Sequence, residues 1–154
     1  MLKNLILISS LVTLSACATS GSHEDNESKK NAKAQLDSWV ESIKSRDANR
    51  IVRLYDDEAV LLATFAKDPI VNQKDRLSYF QGLTKKDGLR VKIDKAYYEE
   101  NGDIAIANGV YTFSYEQGVK TINVPARFSF VFEYESDEGW EIESHHSSLI
   151  PSGK

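Results

Sequence analysis

Between Arg127 and Tyr134 the chain alternates without a break. Phe128, Phe130, Phe132 and Tyr134 occupy every second position, with Arg127, Ser129, Val131 and Glu133 between them. Successive side chains of an extended strand point to opposite faces, so this pattern demands a strand with one large aromatic face. Such a face has to be buried, which makes the strand one member of a sheet packed against another layer. More strands lie on either side. Residues 89–100 lead into Asn101-Gly102, a pair that tolerates positive φ and closes a tight hairpin. Residues 103–116 return from it, Gln117-Gly118 turns the chain again, and residues 119–135 follow. Ser136-Asp137-Glu138-Gly139 then turns into a last strand, 140–149. Pro125 has no N–H to give a ladder, so a bulge or an edge is expected there, and Gly109 predicts a sharp bend.

Upstream the period changes from two to that of a helix. Ala32, Leu36, Trp39, Val40 and Ile43 form one apolar stripe, with Lys33, Asp37, Glu41 and Lys44 opposite. This predicts a helix from Asn31 to about Ser45. Asp47 is placed to cap a short second helix over 48–55 that buries Ile51, Val52, Leu54 and Tyr55. A short strand over 58–62 and a turn at Asp68-Pro69 come next, then a third helix over 74–80 stopped by Gly82. Helices followed by a run of strands make an α+β domain over 31–154. Its sheet is expected to be strongly bent, antiparallel or mixed, with the N-terminal helices on the concave face and a pocket between the two layers.

Residues 1–30 follow other rules. Lys3 precedes an apolar run over 5–14, and Leu14-Ser15-Ala16-Cys17 closes it. The run is too short to span a bilayer, which takes about 20 apolar residues, and it has the three parts of an export signal. The Cys17 segment resembles the lipobox of bacterial lipoproteins. Residues 1–16 are therefore expected to be a signal peptide and Cys17 the lipid attachment site. Residues 17–30 contain no large apolar side chain and read as a flexible tether, with His23 solvated. Ala18, rather than Asp, follows the cysteine, which points to the outer membrane of the cell envelope. Cys17 is the one cysteine of the sequence, so it has no disulfide partner within it. The formal net charge is -4 at pH 7, and no run of Lys and Arg forms a basic stripe. That excludes a nucleic-acid partner held through phosphates.

Several segments together carry a resemblance. Trp39-Val40-Glu41-Ser42-Ile43, then Asp47, then residues 54–61, resembles the opening of the nuclear transport factor 2-like (SnoaL-like) superfamily. Residues 109–113, 125–132 and 139–142, and His145-His146-Ser147-Ser148 with Pro151, are similar to one branch of it. That branch contains the association domain of calcium/calmodulin-dependent kinase II and small bacterial relatives. The resemblance covers Asn31 to Pro151. It implies a cone-shaped fold, a pocket at the wide end, and self-association through the sheet. It does not imply a kinase, because the chain has no glycine-rich phosphate loop and no catalytic Asp motif. In the kinase branch pocket arginines bind small anions. Here Arg127 is the one arginine of the last strands, and Ser147 stands where that branch has an arginine after the second histidine.

Alternation makes His145 and His146 point to opposite faces. With Trp140 and Ile142 taken as inward, His146 is expected inside and His145 outside beside Glu143. The expected pocket lining is Tyr55, Tyr111, Arg127 and His146, with Trp39 packed behind. A buried unpaired arginine is very costly, so a ligand there would be a small carboxylate on an apolar body. The same superfamily includes isomerases, dehydratases and hydrolases, for which Asp57, Tyr55, Tyr111 and His146 are the acid–base candidates. The bland counterpart is that the inward histidine bonds a neighbouring strand and the phenylalanines are core. Asp56-Asp57-Glu58 lacks the spacing and glycine of a calcium loop. With so few histidines no metal site is expected, nor any cofactor, since there is no dinucleotide fingerprint or nucleophile elbow. Two functions therefore compete. One is a membrane-anchored, self-associating domain, a homodimer built on the outer sheet face where Phe128, Phe130, Phe132 and Val131 compete for shelter, with room to bind a small molecule. The other is a small-molecule isomerase, dehydratase or hydrolase. A carboxylate or histidine pair at the base of the pocket favours the enzyme; aromatics and hydroxyls alone favour association.

Overall fold

The computed structural model describes residues 30–151, so the leader 1–16, Cys17 and residues 18–29 of the tether, with His23, lie outside the described residues, while Lys30, read as the end of the tether, already belongs to the first helix. Among these residues the order is α1 (Lys30–Ser45), α2 (Ala48–Val52), β1 (Tyr55–Leu62), α3 (Gln73–Thr84), β2 (Arg90–Asn101), β3 (Ile104–Gln117), β4 (Lys120–Glu135) and β5 (Gly139–Leu149). The strands form one sheet in the order β1-β5-β4-β3-β2. β1 runs parallel to β5 and the other pairs are antiparallel, so the sheet is mixed. The result is the expected α+β architecture, with the helices on the inner face of a curled sheet. The apolar stripe of α1 is buried at Ala32, Leu36, Trp39 and Ile43, as are Ala105, Ala107, Tyr111, Phe128, Phe130, Phe132 and Ile142 of the sheet. The three phenylalanines of β4 all belong to this core. None competes for shelter on the outer face, because Arg127, Ser129, Val131 and Glu133 alternate with them.

Local chemistry explains the boundaries. Asp47 caps α2, its carboxylate accepting from the N–H groups of Asn49 and Arg50. The N-terminus of α1 is capped from a distance: Glu100 accepts from the Ala32 N–H at 2.9 Å. α2 is shorter than expected and β1 starts earlier. The Ile142 N–H donates to Leu54 O at 2.8 Å, drawing the chain into the sheet so that Tyr55 opens a strand instead of closing a helix. α3 passes through Gly82, which keeps a negative φ and leaves open space where a side chain would be.

Pro125 pairs with Thr112 on β3, one residue past the end of the β5 ladder at Ala126–Leu149, so it occupies an edge and not a bulge. The irregularities lie elsewhere, between Ile93 and Lys95 on β2, opposite Val131–Phe132 on β5, and between Tyr55 and Val60 on β1. Gly109 lies across from the first. A Cβ there would sit 2.0 Å from Lys95 O and 2.9 Å from Phe128 Cζ, so only glycine lets β2 and β3 approach at this bend.

β1 is an edge strand, and its free side is covered. Arg76 of α3 is fully buried and donates to Asp56 O at 2.8 Å and Ala59 O at 2.6 Å. Leu61 exchanges both backbone bonds with Ile70 at 2.9 Å. An edge closed in this way offers no template to another strand.

Candidate functional site

The interior of the cone is threaded by hydrogen-bonded side chains. Trp39, in the middle of α1, donates its indole N–H to Tyr55 Oη at 3.0 Å. Tyr55 Oη lies 2.8 Å from His145 Nδ1, and His145 Nε2 lies 3.3 Å from Tyr111 Oη. Tyr111 donates to Ser147 Oγ at 2.6 Å, and Ser147 meets the hydroxyl of Thr64, in the loop after β1. An indole N–H can only donate. Tyr55 accepts from it, which leaves the Tyr55 proton for His145 Nδ1. The imidazole proton then sits on Nε2, facing Tyr111, whose own proton goes to Ser147. The whole chain takes one direction from one donor-only residue.

The surroundings are aromatic. The Phe130 ring stacks on His145 with centroids 3.8 Å apart, and Trp39 meets the imidazole edge-on at 5.2 Å. Burial, and secondarily His146, lowers the pKa of His145 to about 3. Burial likewise drives Tyr55 and Tyr111 well above the usual phenol range, and Tyr79 to about 12. No member of the network changes protonation near neutral pH. The free space between Trp39, Tyr79, Tyr111, Phe113 and His145 amounts to about 10 Å³, the threshold for a single water. Small-molecule pockets run to several hundred Å³.

The expected lining is only half there. Tyr55 and Tyr111 are buried in the cone, and Trp39 packs behind Tyr111 with centroids 5.8 Å apart. The two histidines are the reverse of the expectation: His145 is buried and His146 exposed. The cause is the irregularity in β5. Val131 pairs with Ser144 and Phe132 with Ile142, so Glu143 is an extra residue that resets the alternation. Arg127 is exposed on the outer face, bonded to Ser148 Oγ at 3.1 Å, with Ala126 and Phe128 buried on either side of it. The carboxylate ligand inferred from a buried Arg127 therefore loses its basis. Asp57 is also outside, accepting from Gln73 at 3.0 Å. Residue types alone did not reveal His145, Ser147, Thr64 or Arg76. Arg76 carries the one buried cation of this region, beneath the Tyr55 ring at 5.2 Å, its pKa lowered by burial and its Nε without a partner.

The outer face is different. Val60 and Leu62 of β1 are exposed at 38% and 41%, and Val131 and Ile106 are half-buried on β4 and β3, across β5 from them. Among the described residues no group of three His, Cys, Asp or Glu side chains could hold a metal ion, and no helix is long and apolar enough to cross a membrane.

Residues 32–152 match the family model of the SnoaL-like domain. The chain belongs to the SnoaL-like family. Solved structures agree with this assignment. A protein from Xanthomonas campestris, described as a calcium/calmodulin dependent protein kinase II association domain, is 28% identical, with a TM-score of 0.74 over 80% of this chain and 89% of that one. The CaMKII hub of S. rosetta (13% identity, TM-score 0.69, 79% and 96% covered) shares the fold. So does a protein described as a dehydratase of the NTF2-like family from Streptomyces avermitilis (13% identity, TM-score 0.71, 84% and 99% covered). No curated protein matches the chain. The polar thread and the open outer face are thus features of a SnoaL-like cone.

Proposed function

We propose that this SnoaL-like domain is a non-enzymatic, self-associating module held at the bacterial cell envelope by lipid on Cys17. The observation that carries the reading is the filled cone. Its interior consists of aromatics and hydroxyls around one neutral histidine, with the buried Arg76 engaged by β1 carbonyls beneath Tyr55 and about 10 Å³ free. A general base needs a pKa near the working pH and a proton within reach. The described interior supplies neither a carboxylate nor space for a substrate, which disfavours the isomerase, dehydratase or hydrolase reading. What remains for partners is the outer sheet face, where Val60, Leu62, Val131 and Ile106 lie uncovered or half-covered. An association domain is also what the Xanthomonas campestris protein is described as. The test is the mass in solution of the mature chain carrying Cys17→Ser, by sedimentation at micromolar concentration. A homodimer or larger assembly is expected, and a monomer overturns the reading.

A further inference from the structure

On the outside of α3 the surface opens into a groove of about 280 Å³, lined by Phe65, Ser78, Tyr79, Gly82, Leu83 and Lys86. These residues come from α3, the turn after it and the loop after β1, so the groove lies neither on the outer sheet face nor inside the cone. Tyr79 and Leu83 also line the space of about 10 Å³ within the cone and stand between the two. The groove is held open. Phe65 stays 42% exposed, yet it is fixed from two sides: its ring meets Phe113 edge-on at 6.1 Å, and its backbone bonds the Tyr79 hydroxyl.

Gly82 leaves the floor of the groove bare. It sits inside α3 without a positive φ, and a Cβ there would meet nothing within 4 Å. Glycine is the least favourable helix residue after proline, and neither its conformational freedom nor a close approach is used at this position. What the missing side chain provides is room in the groove. With Ser78 one turn earlier, the helix offers a flat strip to a planar group.

Lys86 supplies the one charge of the lining. Its ammonium lies 4.1 Å from the Tyr115 ring centroid and 5.6 Å from that of Phe65. Aromatic faces attract a cation but leave its charge uncancelled. Among the described residues no carboxylate pairs with Lys86: Asp87 beside it pairs with Arg46, and Glu116 next to Tyr115 pairs with Arg90. A half-buried cation without a counter-charge favours an anionic partner. An apolar slot with a single cation recognises an apolar body carrying one acid group. A volume of about 280 Å³ is at the small end of ligand pockets and limits that body to about one or two rings. We propose that this groove binds a small aromatic monocarboxylate, with its rings between Phe65 and the Gly82 strip and its carboxylate on Lys86.

Titration calorimetry with phenylacetate and 1-naphthylacetate tests this at neutral pH, on the mature chain carrying Cys17→Ser. At least one of the acids is expected to bind saturably. The uncharged amide, 1-naphthylacetamide, is expected to bind at least about tenfold more weakly than its acid. Lys86→Gln weakens the acid at least about tenfold and leaves the amide unchanged. Gly82→Leu fills the groove and removes binding, without lowering the unfolding midpoint, because leucine is the better helix former. Lys85→Gln, exposed and outside the lining, changes nothing. No saturation by either acid up to ~10 mM, equal affinity for acid and amide, or acid binding unchanged in Lys86→Gln or Gly82→Leu each overturns the proposal. Unfolding midpoints separate lost binding from a lost fold; where Gly82→Leu fails to fold, Lys86→Gln decides alone. None of these outcomes bears on association, which sedimentation measures separately.

Discussion

His145 is surrounded by groups that favour its neutral form. Tyr55 donates to Nδ1, Nε2 faces Tyr111, and Phe130 excludes water from one side of the ring. Protonation would place a charge with no carboxylate beside it, so burial holds the pKa at about 3 instead of 6.5. The folded value lies below the unfolded one. As pH falls the unfolded chain takes the proton first, and stability declines between about 6.5 and 3 by up to ~1.4 kcal/mol per pH unit. Above about 6.5 the contribution is fully present. The expected result is that wild type loses stability across this window relative to His145→Asn, as measured by denaturant midpoints. Equal slopes would mean that water reaches the imidazole. Trp39 governs the same thread. Trp39→Phe keeps a ring in place but removes the indole donor, and is expected to cost about 1–3 kcal/mol.

At the scale of elements, the sheet depends on the bend where β2 departs from regular pairing and on the covered edge of β1. Gly109 faces the β2 irregularity with Lys95 O where a Cβ would be. Gly109→Ala must push backbone apart, and a loss of about 1–3 kcal/mol or more is expected in thermal or chemical unfolding. Arg76 protects the edge of β1. Arg76→Met fills much of the same volume but strands the Asp56 and Ala59 carbonyls, each costing about 1–3 kcal/mol when buried and unpaired. The uncovered edge adds a second symptom, concentration-dependent light scattering. Stability lost without scattering would show that Ile70 alone suffices to close the edge.

The whole molecule offers a filled interior and an open sheet face, and these lead to function more directly than any one side chain does. The hydrogen-bonded network inside the cone is complete without a ligand, which supports the proposal that contacts are made on the exterior. Lipid on Cys17 would hold many copies of the domain on one surface and raise their effective concentration, which favours even a modest interface. The expected observation is that the natural protein, extracted from membranes, carries the mass of lipid on Cys17, and that Cys17→Ser moves to the soluble fraction. An unmodified thiol in the membrane-extracted protein would remove the anchor from the account.

Much of this architecture is legible from local chemistry. Side-chain period identifies α1 and the aromatic strand, Asp47 announces a cap, and Asn101-Gly102 closes its hairpin with Gly102 at φ 61. These features depend on a residue and its near neighbours, so the order of elements and the α+β class follow from the sequence. The candidate site divides at the same line. Tyr55, Tyr111 and Trp39 lie inside because large aromatics at the right period must be buried somewhere. Which histidine joins them is another matter. It turns on Glu143 being an extra residue opposite β4, and that offset belongs to the pairing of two strands, not to the sequence of either. Arg76 illustrates the same limit, since its partners are backbone carbonyls of β1, an element that only the folded sheet brings beside α3. Periodicity specifies which residues share a face. Register, set by contacts distant in sequence, decides which way that face looks.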